Sequence, residues 1–192
     1  LHELHVAGGA LRDAAGVPID VLWRFYPLEH VATDVGGSQL FELLERGTLR
    51  LINPPAALLL QNKAALAIVW DLAERGVWFD AQERATIARF FLPTFLELPG
   101  DGAVYVRKPV LGREGNSVSI VRGVTTLVAS ASNDYRLQPA VYQKYVTLPE
   151  MHGGRAIATC FVIDSKPGAV ALRIGGAITD AHARFVALGV AR

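Results

Sequence analysis

Residues 104–120 read Val-Tyr-Val-Arg-Lys-Pro-Val-Leu-Gly-Arg-Glu-Gly-Asn-Ser-Val-Ser-Ile: two apolar runs joined by a polar segment with two glycines. Side chains alternate along a strand, so Val104, Val106 and Lys108 share one face. An ammonium on that apolar face needs an anion, because burying a lone charge is costly. Pro109 has no N–H and suits a strand end or an edge. Gly112 and Gly115 let backbone come close to another group, with Arg113, Glu114 and Asn116 between and beside them. The pattern predicts a β-hairpin whose tip folds over a phosphate, since backbone N–H groups at such a tip form an anion site without any side chain. The plainer alternative is a hairpin with a charged, solvated tip.

The rest of the chain supplies elements on which such a hairpin can act. Ile19–Tyr26 reads as a strand, Ser38–Arg46 as a short helix stopped by Gly47, and Thr48–Ile52 as a short strand. Asn62 caps the best helix in the sequence, with Leu66, Val69, Trp70 and Ala73 at helical spacing and Gly76 at its end. Lys63 falls where the helix macrodipole is positive, a place for a cation only if it shares an anion with the helix N-terminus or faces solvent. Asp80, with Glu83 three residues on, opens another helix. Beyond Pro99-Gly100-Asp101-Gly102 the pattern turns from helix to strand, which sets the expected domains at 1–99 and 100–192. Ser130–Pro139 reads as a loop, Val141–Tyr145 as a strand, and Ala156–Ile163 as a central strand, being apolar on both faces. Cys160 within it is expected to be a small buried hydrophobe and not a nucleophile. Lys166-Pro167-Gly168 is expected to turn the chain into a strand over 169–174, where Ala169, Ala171 and Arg173 share a face. Two alanines beside a guanidinium leave room for an anionic ligand.

Lys108 to Asn116 resembles the Lys-Pro-x-x-Gly-Arg-x-Gly segment of the glutathionylspermidine synthase family, whose members are ATP-grasp ligases that join a carboxylate to an amine. Further matches follow the same order. Tyr26-Pro27-Leu28-Glu29-His30 resembles a Tyr-Pro-Trp-Glu-Trp segment with both tryptophans replaced. Asn62-Lys63 and Tyr142-Gln143 match, as does Arg173 before a Gly-rich exit. Thr179–Val186 resembles the Ile-Thr-Asp-x-x-Ser-Arg-Phe-Val-Pro-His ending, with Ala183 for the serine and Ala187-Leu188 for Pro-His.

The resemblance implies an α+β, ATP-grasp-like fold: a helical part carrying the first ATP lysine, then a mostly antiparallel sheet with a Gly-rich hairpin over the nucleotide. It implies that Lys63, Lys108, Gly112, Arg113, Glu114, Gly115 and Asn116 hold phosphates. Gln143, Lys144 and Tyr145 border the adenine, and Arg173 stabilises the transferring phosphoryl group. ATP and Mg2+ are the implied cofactors, and a small-molecule or peptide carboxylate and an amine are the implied partners. The family's Arg-x-Asp and Tyr-Glu-x-Asn segments, which hold the magnesium and the acid, have no counterpart in this sequence. The metal ligands are therefore expected upstream, and the chain, which begins at Leu1, is expected to be the C-terminal part of a longer ligase. The alternative is a non-catalytic nucleotide-binding or assembly module of the same shape.

Composition narrows the remaining classes. The 192 residues are 51% apolar with a formal net charge of +1, which gives no bulk reason to expect nucleic acid or a membrane surface as partner. No apolar run reaches the roughly 18 residues needed to span a bilayer. One cysteine excludes an internal disulfide and fits a reducing, cytoplasmic setting. His2-Glu3-Leu4-His5 is not the helical His-Glu-x-x-His motif, and no metal ligand is assigned.

Overall fold

The computed structural model describes residues 3–186 and 188, which leaves His2 and Ala187 outside the described residues. The fold is mixed α/β, with several antiparallel sheets and few helices, and it divides into two compact units, Leu1–Gln61 and Asn62–Arg192. Among the described residues no single helix is long and apolar enough to cross a membrane.

The first unit opens with β1 (His5–Ala7), β2 (Ala10–Arg12) and β3 (Pro18–Ile19), an antiparallel sheet in which Leu11 faces Val6 on one side and Ile19 on the other. Next come β4 (Val21–Trp23), α1 (Leu28–Val31), α2 (Gly37–Glu45) and β5 (Arg50–Ile52), with β4 and β5 pairing in parallel. A 3-10 turn at Pro55–Ala57 and α3 (Leu58–Gln61) close the unit. Leu11, Leu28, Val31, Leu40, Leu43 and Leu49 form its core. A Cβ at Gly37 would lie 1.8 Å from the Val31 carbonyl oxygen, so only glycine lets α2 start this close to the end of α1.

The second unit begins with α4 (Ala64–Glu74) and α5 (Ala81–Phe90). α5 carries the expected capping box: the Glu83 N–H donates to Asp80 Oδ1 at 2.8 Å, and the Asp80 N–H donates back to Glu83 Oε2 at 2.9 Å. Five strands follow: β6 (Thr94–Phe95), β7 (Val104–Pro109), β8 (Ser119–Arg122), β9 (Thr125–Ala129) and β10 (Ala140–Lys144). They form one antiparallel sheet in the order β6-β10-β7-β8-β9, and α4 packs against β6 and β10. The change from helix to strand at Pro99 falls inside this unit. A second antiparallel sheet holds β11 (Glu150–Met151), β12 (Gly154–Ile163), β13 (Lys166–Gly175) and β14 (Arg184–Val186) in sequence order.

Two expectations are corrected here. β12 is not a buried central strand along its length, because β11 reaches only Gly154 and Arg155, and its outer half pairs with β13 alone. Phe161, Val162 and Ile163 are 55%, 68% and 70% exposed, and Cys160 is exposed with them. An apolar run on two faces predicts burial only where a layer covers each face. The turn into β13 lies at Asp164 and Ser165, both in the left-handed region at φ 51° and 59°, and Lys166, Pro167 and Gly168 already belong to the strand.

Candidate functional site

A cavity of about 430 Å³ lies in the second unit, between β7, β8 and β10 of one sheet and β12 and the residues after β13 of the other. Its wall includes Lys63, Lys108, Gly112, Arg113, Glu114, Gly115, Gln143, Lys144 and Tyr145. Nine residues chosen from separated stretches of sequence thus meet at one place.

β7 and β10 set the first part of the geometry. Val106 and Lys108 face the cavity as the strand alternation predicts. Val106 pairs with Gln143 and Lys108 with Val141, so Gln143 is the diagonal neighbour of Lys108 on the same face. Lys108 Nζ donates to Gln143 Oε1 at 2.7 Å. Burial holds the Lys108 ammonium below the ordinary lysine pKa.

Lys63 enters from the start of α4, where it is the N-cap residue, and Asn62 Oδ1 accepts the Ala64 N–H at 2.9 Å. The Lys63 N–H donates to the Val110 carbonyl at 2.9 Å, and its Nζ donates to the Gly112 carbonyl at 2.5 Å. Lys63 is therefore a tether for the segment that follows β7. Burial lowers its pKa, and the nearby charges of Lys108 and Arg113 lower it further. Both lysines are bonded to neutral oxygens, and among the described residues neither forms an ion pair.

The 110–118 segment joins β7 to β8 and lies close against the chain after β13. Glu114 and Gly115 are both left-handed, at φ 49° and 70°. A Cβ on Gly115 would fall 2.5 Å from the Thr179 carbonyl oxygen, so this approach requires glycine. Asn116 is outside the cavity wall. Its Nδ2 donates to Asp134 Oδ2 at 2.6 Å, and its Oδ1 accepts from the Asp134 N–H at 2.9 Å. In this structure Asn116 ties the segment to the 130–135 loop.

Arg173 is also outside the wall, but it is the cross-strand partner of Ile157, which lines it. Its Nη2 donates to the Asp180 carbonyl at 2.6 Å, and its guanidinium lies 5.5 Å from the centre of the Phe185 ring. The Asp180 contact is made by the backbone and not by the carboxylate.

Sequence reasoning did not single out the apolar wall, which includes Leu92, Val118, Ile120, Val146, Leu148, Ile157 and Ile178, or Thr179. Those residues come from five separate stretches of the chain, and no local pattern connects them. The cavity thus offers two bonded lysines and Arg113 near one another in a largely apolar wall, an arrangement suited to an anion attached to an apolar ring. Among the described residues no group of three or more His, Cys, Asp or Glu side chains could hold a metal ion.

Residues 2–191 match the model of the glutathionylspermidine synthase preATP-grasp family. The chain is 29% identical over 166 residues to a Haemophilus influenzae protein named "Putative acid--amine ligase". That alignment covers 84% of this chain and 39% of the relative, so the chain spans about two fifths of its length. The relative's printed name describes an acid–amine ligase.

Proposed function

The chain belongs to the glutathionylspermidine synthase family, and from that premise we propose that it is the nucleotide-holding part of an ATP-dependent carboxylate–amine ligase. The observation that carries this reading is the meeting of Lys63, Lys108 and the 112–115 backbone in one cavity, with both lysines bonded only to neutral oxygens. Two partly desolvated cations next to each other are unfavourable in the empty protein, and a polyphosphate relieves both.

ATP supplies the phosphoryl group that turns a carboxylate into an acyl phosphate, which an amine displaces to give an amide, ADP and phosphate. Such a reaction asks the protein for positioning and charge neutralisation more than for an acid–base pair. Lys63 and Lys108 neutralise phosphate oxygens. The 112–115 segment closes over them as the tip of a hairpin and keeps water out. Val106, Ile120 and Leu148 take the flat face of the base, with Lys144 and Tyr145 at its edge. Arg173, fixed by the Asp180 carbonyl and the Phe185 ring and paired across the sheet with Ile157, stabilises the transferring phosphoryl group. Magnesium and the acid and amine pockets are assigned to other parts of the full-length protein.

The test is a coupled assay of the full-length protein for ADP release that requires both an acid and an amine. ATP binding without such turnover supports the binding-module alternative. No ATP binding at all overturns the nucleotide reading.

A further inference from the structure

Thr94 lies outside the cavity wall, is only 1% exposed, and sits on β6 at the edge of the five-stranded sheet. It is the cross-strand partner of Gln143 on β10, and Gln143 is the partner of Val106 on β7. One row of side chains therefore runs across these strands, with Lys108 diagonal to it.

Chemistry gives that row a direction. The Leu92 carbonyl can only accept, so the Thr94 hydroxyl, 2.8 Å away, gives its one proton there. The hydroxyl oxygen is then left to accept, and Gln143 Nε2 donates to it at 3.1 Å. The amide oxygen of Gln143 is left facing Lys108 Nζ, which donates to it at 2.7 Å. A primary amide has nearly the same shape in either orientation, so Gln143 by itself does not choose which end meets the ammonium. The Leu92 carbonyl makes that choice and Thr94 transmits it. Turned over, the amide would set its NH2 against the ammonium, donor against donor. The charged and titratable groups that line the cavity with Lys108 are Lys63 from the start of α4, Arg113 and Glu114 from the 110–118 segment, Lys144 from β10 and the adjoining Tyr145. Among the described residues Lys108 forms no ion pair, so the amide oxygen is what holds the ammonium.

We propose that Thr94 is a positioning residue for nucleotide binding: it fixes the Gln143 amide so that Lys108 stays charged and held in the cavity wall. This rests on the nucleotide reading of the cavity and deepens it. The helix α4 packs against β6, and its residues Ala67, Ile68 and Trp70 border the same groove as Thr94. Lys63 is the N-cap of that helix. One helix thus bears on both lysines, on Lys63 directly and on Lys108 through Thr94 and Gln143.

In the full-length protein, wild type, Thr94→Val, Thr94→Ala and Thr94→Ser are compared by calorimetry with a non-hydrolysable ATP analogue plus magnesium, from neutral to alkaline pH. Loss of the hydroxyl is expected to weaken binding about tenfold or more, the scale of a hydrogen bond to a charged group. The pH at which affinity is lost is expected to fall by about one unit, because the ammonium has lost its acceptor. Thr94→Ser restores both. Removing a buried hydroxyl lowers the melting temperature whatever its role, so the deciding measurements are the pH profile and a double-mutant cycle with Gln143→Met. Because Thr94 acts through Gln143, Thr94→Val is expected to cost no further affinity once Gln143→Met is present. Thr94→Ala carries the same comparison if the valine variant does not fold. An unshifted pH profile, or an affinity loss that adds in full to that of Gln143→Met, overturns the proposal. A wild-type protein that binds no analogue refutes the nucleotide reading itself, and the positioning role with it. Normal wild-type binding that the Thr94 variants leave unaltered refutes the positioning role alone.

Discussion

Lys108 Nζ donates to Gln143 Oε1 at 2.7 Å, and Gln143 Nε2 donates in turn to the Thr94 hydroxyl at 3.1 Å. That hydroxyl donates to the Leu92 carbonyl at 2.8 Å, and Thr94 is only 1% exposed. The chain of donors fixes which way the Gln143 amide points: its oxygen faces Lys108. A neutral amide positions the ammonium without cancelling its charge, which leaves that charge available to an anion.

Lys108→Ala should therefore weaken ATP binding to the full-length protein by about 1.5–3 kcal/mol, the scale of a charged hydrogen bond. Calorimetry measures it directly. Equal affinity in the two proteins removes Lys108 from the site.

The lowered pKa values set a pH dependence. An anion favours the charged forms of Lys63 and Lys108, so it raises pKa values that burial and, at Lys63, neighbouring cations had depressed. Affinity is then full below the depressed free-state values and is lost as pH rises through them toward the ordinary lysine range. Proton uptake on binding should appear in that same alkaline window, read as a dependence of the calorimetric heat on the buffer's ionisation enthalpy. Stability of the empty protein runs the other way. The unfolded lysines bind protons more tightly than the folded ones, so the two lysines' contribution to stability improves as pH climbs through the same window. Affinity that does not change across this window speaks against both lysines contacting the ligand.

Gly115 and Gly123 make a matched pair. Both are left-handed, at φ 70° and 53°, but a Cβ at Gly123 meets nothing within 4 Å. Gly123→Ala should cost about 1 kcal/mol from backbone strain alone. Gly115→Ala should add a steric cost of about 1–3 kcal/mol and shift residues 112–116 off Thr179, weakening ATP binding as well. Hydrogen exchange at 112–116 should slow when an ATP analogue binds to wild type and change less in Gly115→Ala. Matching melting temperatures for the two variants contradict the close approach.

Arg173→Lys separates catalysis from scaffolding. A lysine cannot hold the Asp180 carbonyl and present a second edge at once. If that second edge meets the phosphoryl group in transfer, turnover of the complete enzyme falls about tenfold or more with ATP affinity nearly unchanged. Turnover and melting temperature are measured on the same samples. Normal turnover per folded molecule with a lower melting temperature makes Arg173 structural.

Part of the cavity was legible in local patterns, whereas Lys63 and residues 143–145 were placed in it only by the family resemblance. The strand alternation placed Val106 and Lys108 on one face, and the two glycines marked a segment that must approach other backbone closely. Asp80 and Glu83 announced a helix start through chemistry that needs only three residues. The apolar wall was not legible, since Leu92, Ile157 and Ile178 meet only through the pairing of two sheets. Asn116 was read with its neighbours as a phosphate contact, because sequence adjacency does not show that its amide turns to Asp134. Cys160 illustrates the opposite error. Its apolar surroundings suggested burial, but what covers a strand is decided by strands distant in sequence, and β11 is too short to reach it.

Lys63 and Lys108 carry a further lesson for anyone redesigning this protein. Each is held below its natural protonation range beside a neutral oxygen, so each is a local liability in the empty molecule. A redesign scored only on that empty molecule will nominate Lys108 for an apolar replacement, and the variant is expected to melt later. Thermostability screens run without ligand would then enrich for inert proteins. Screens run with an anion present would reverse the ranking, because the liability disappears once it is occupied.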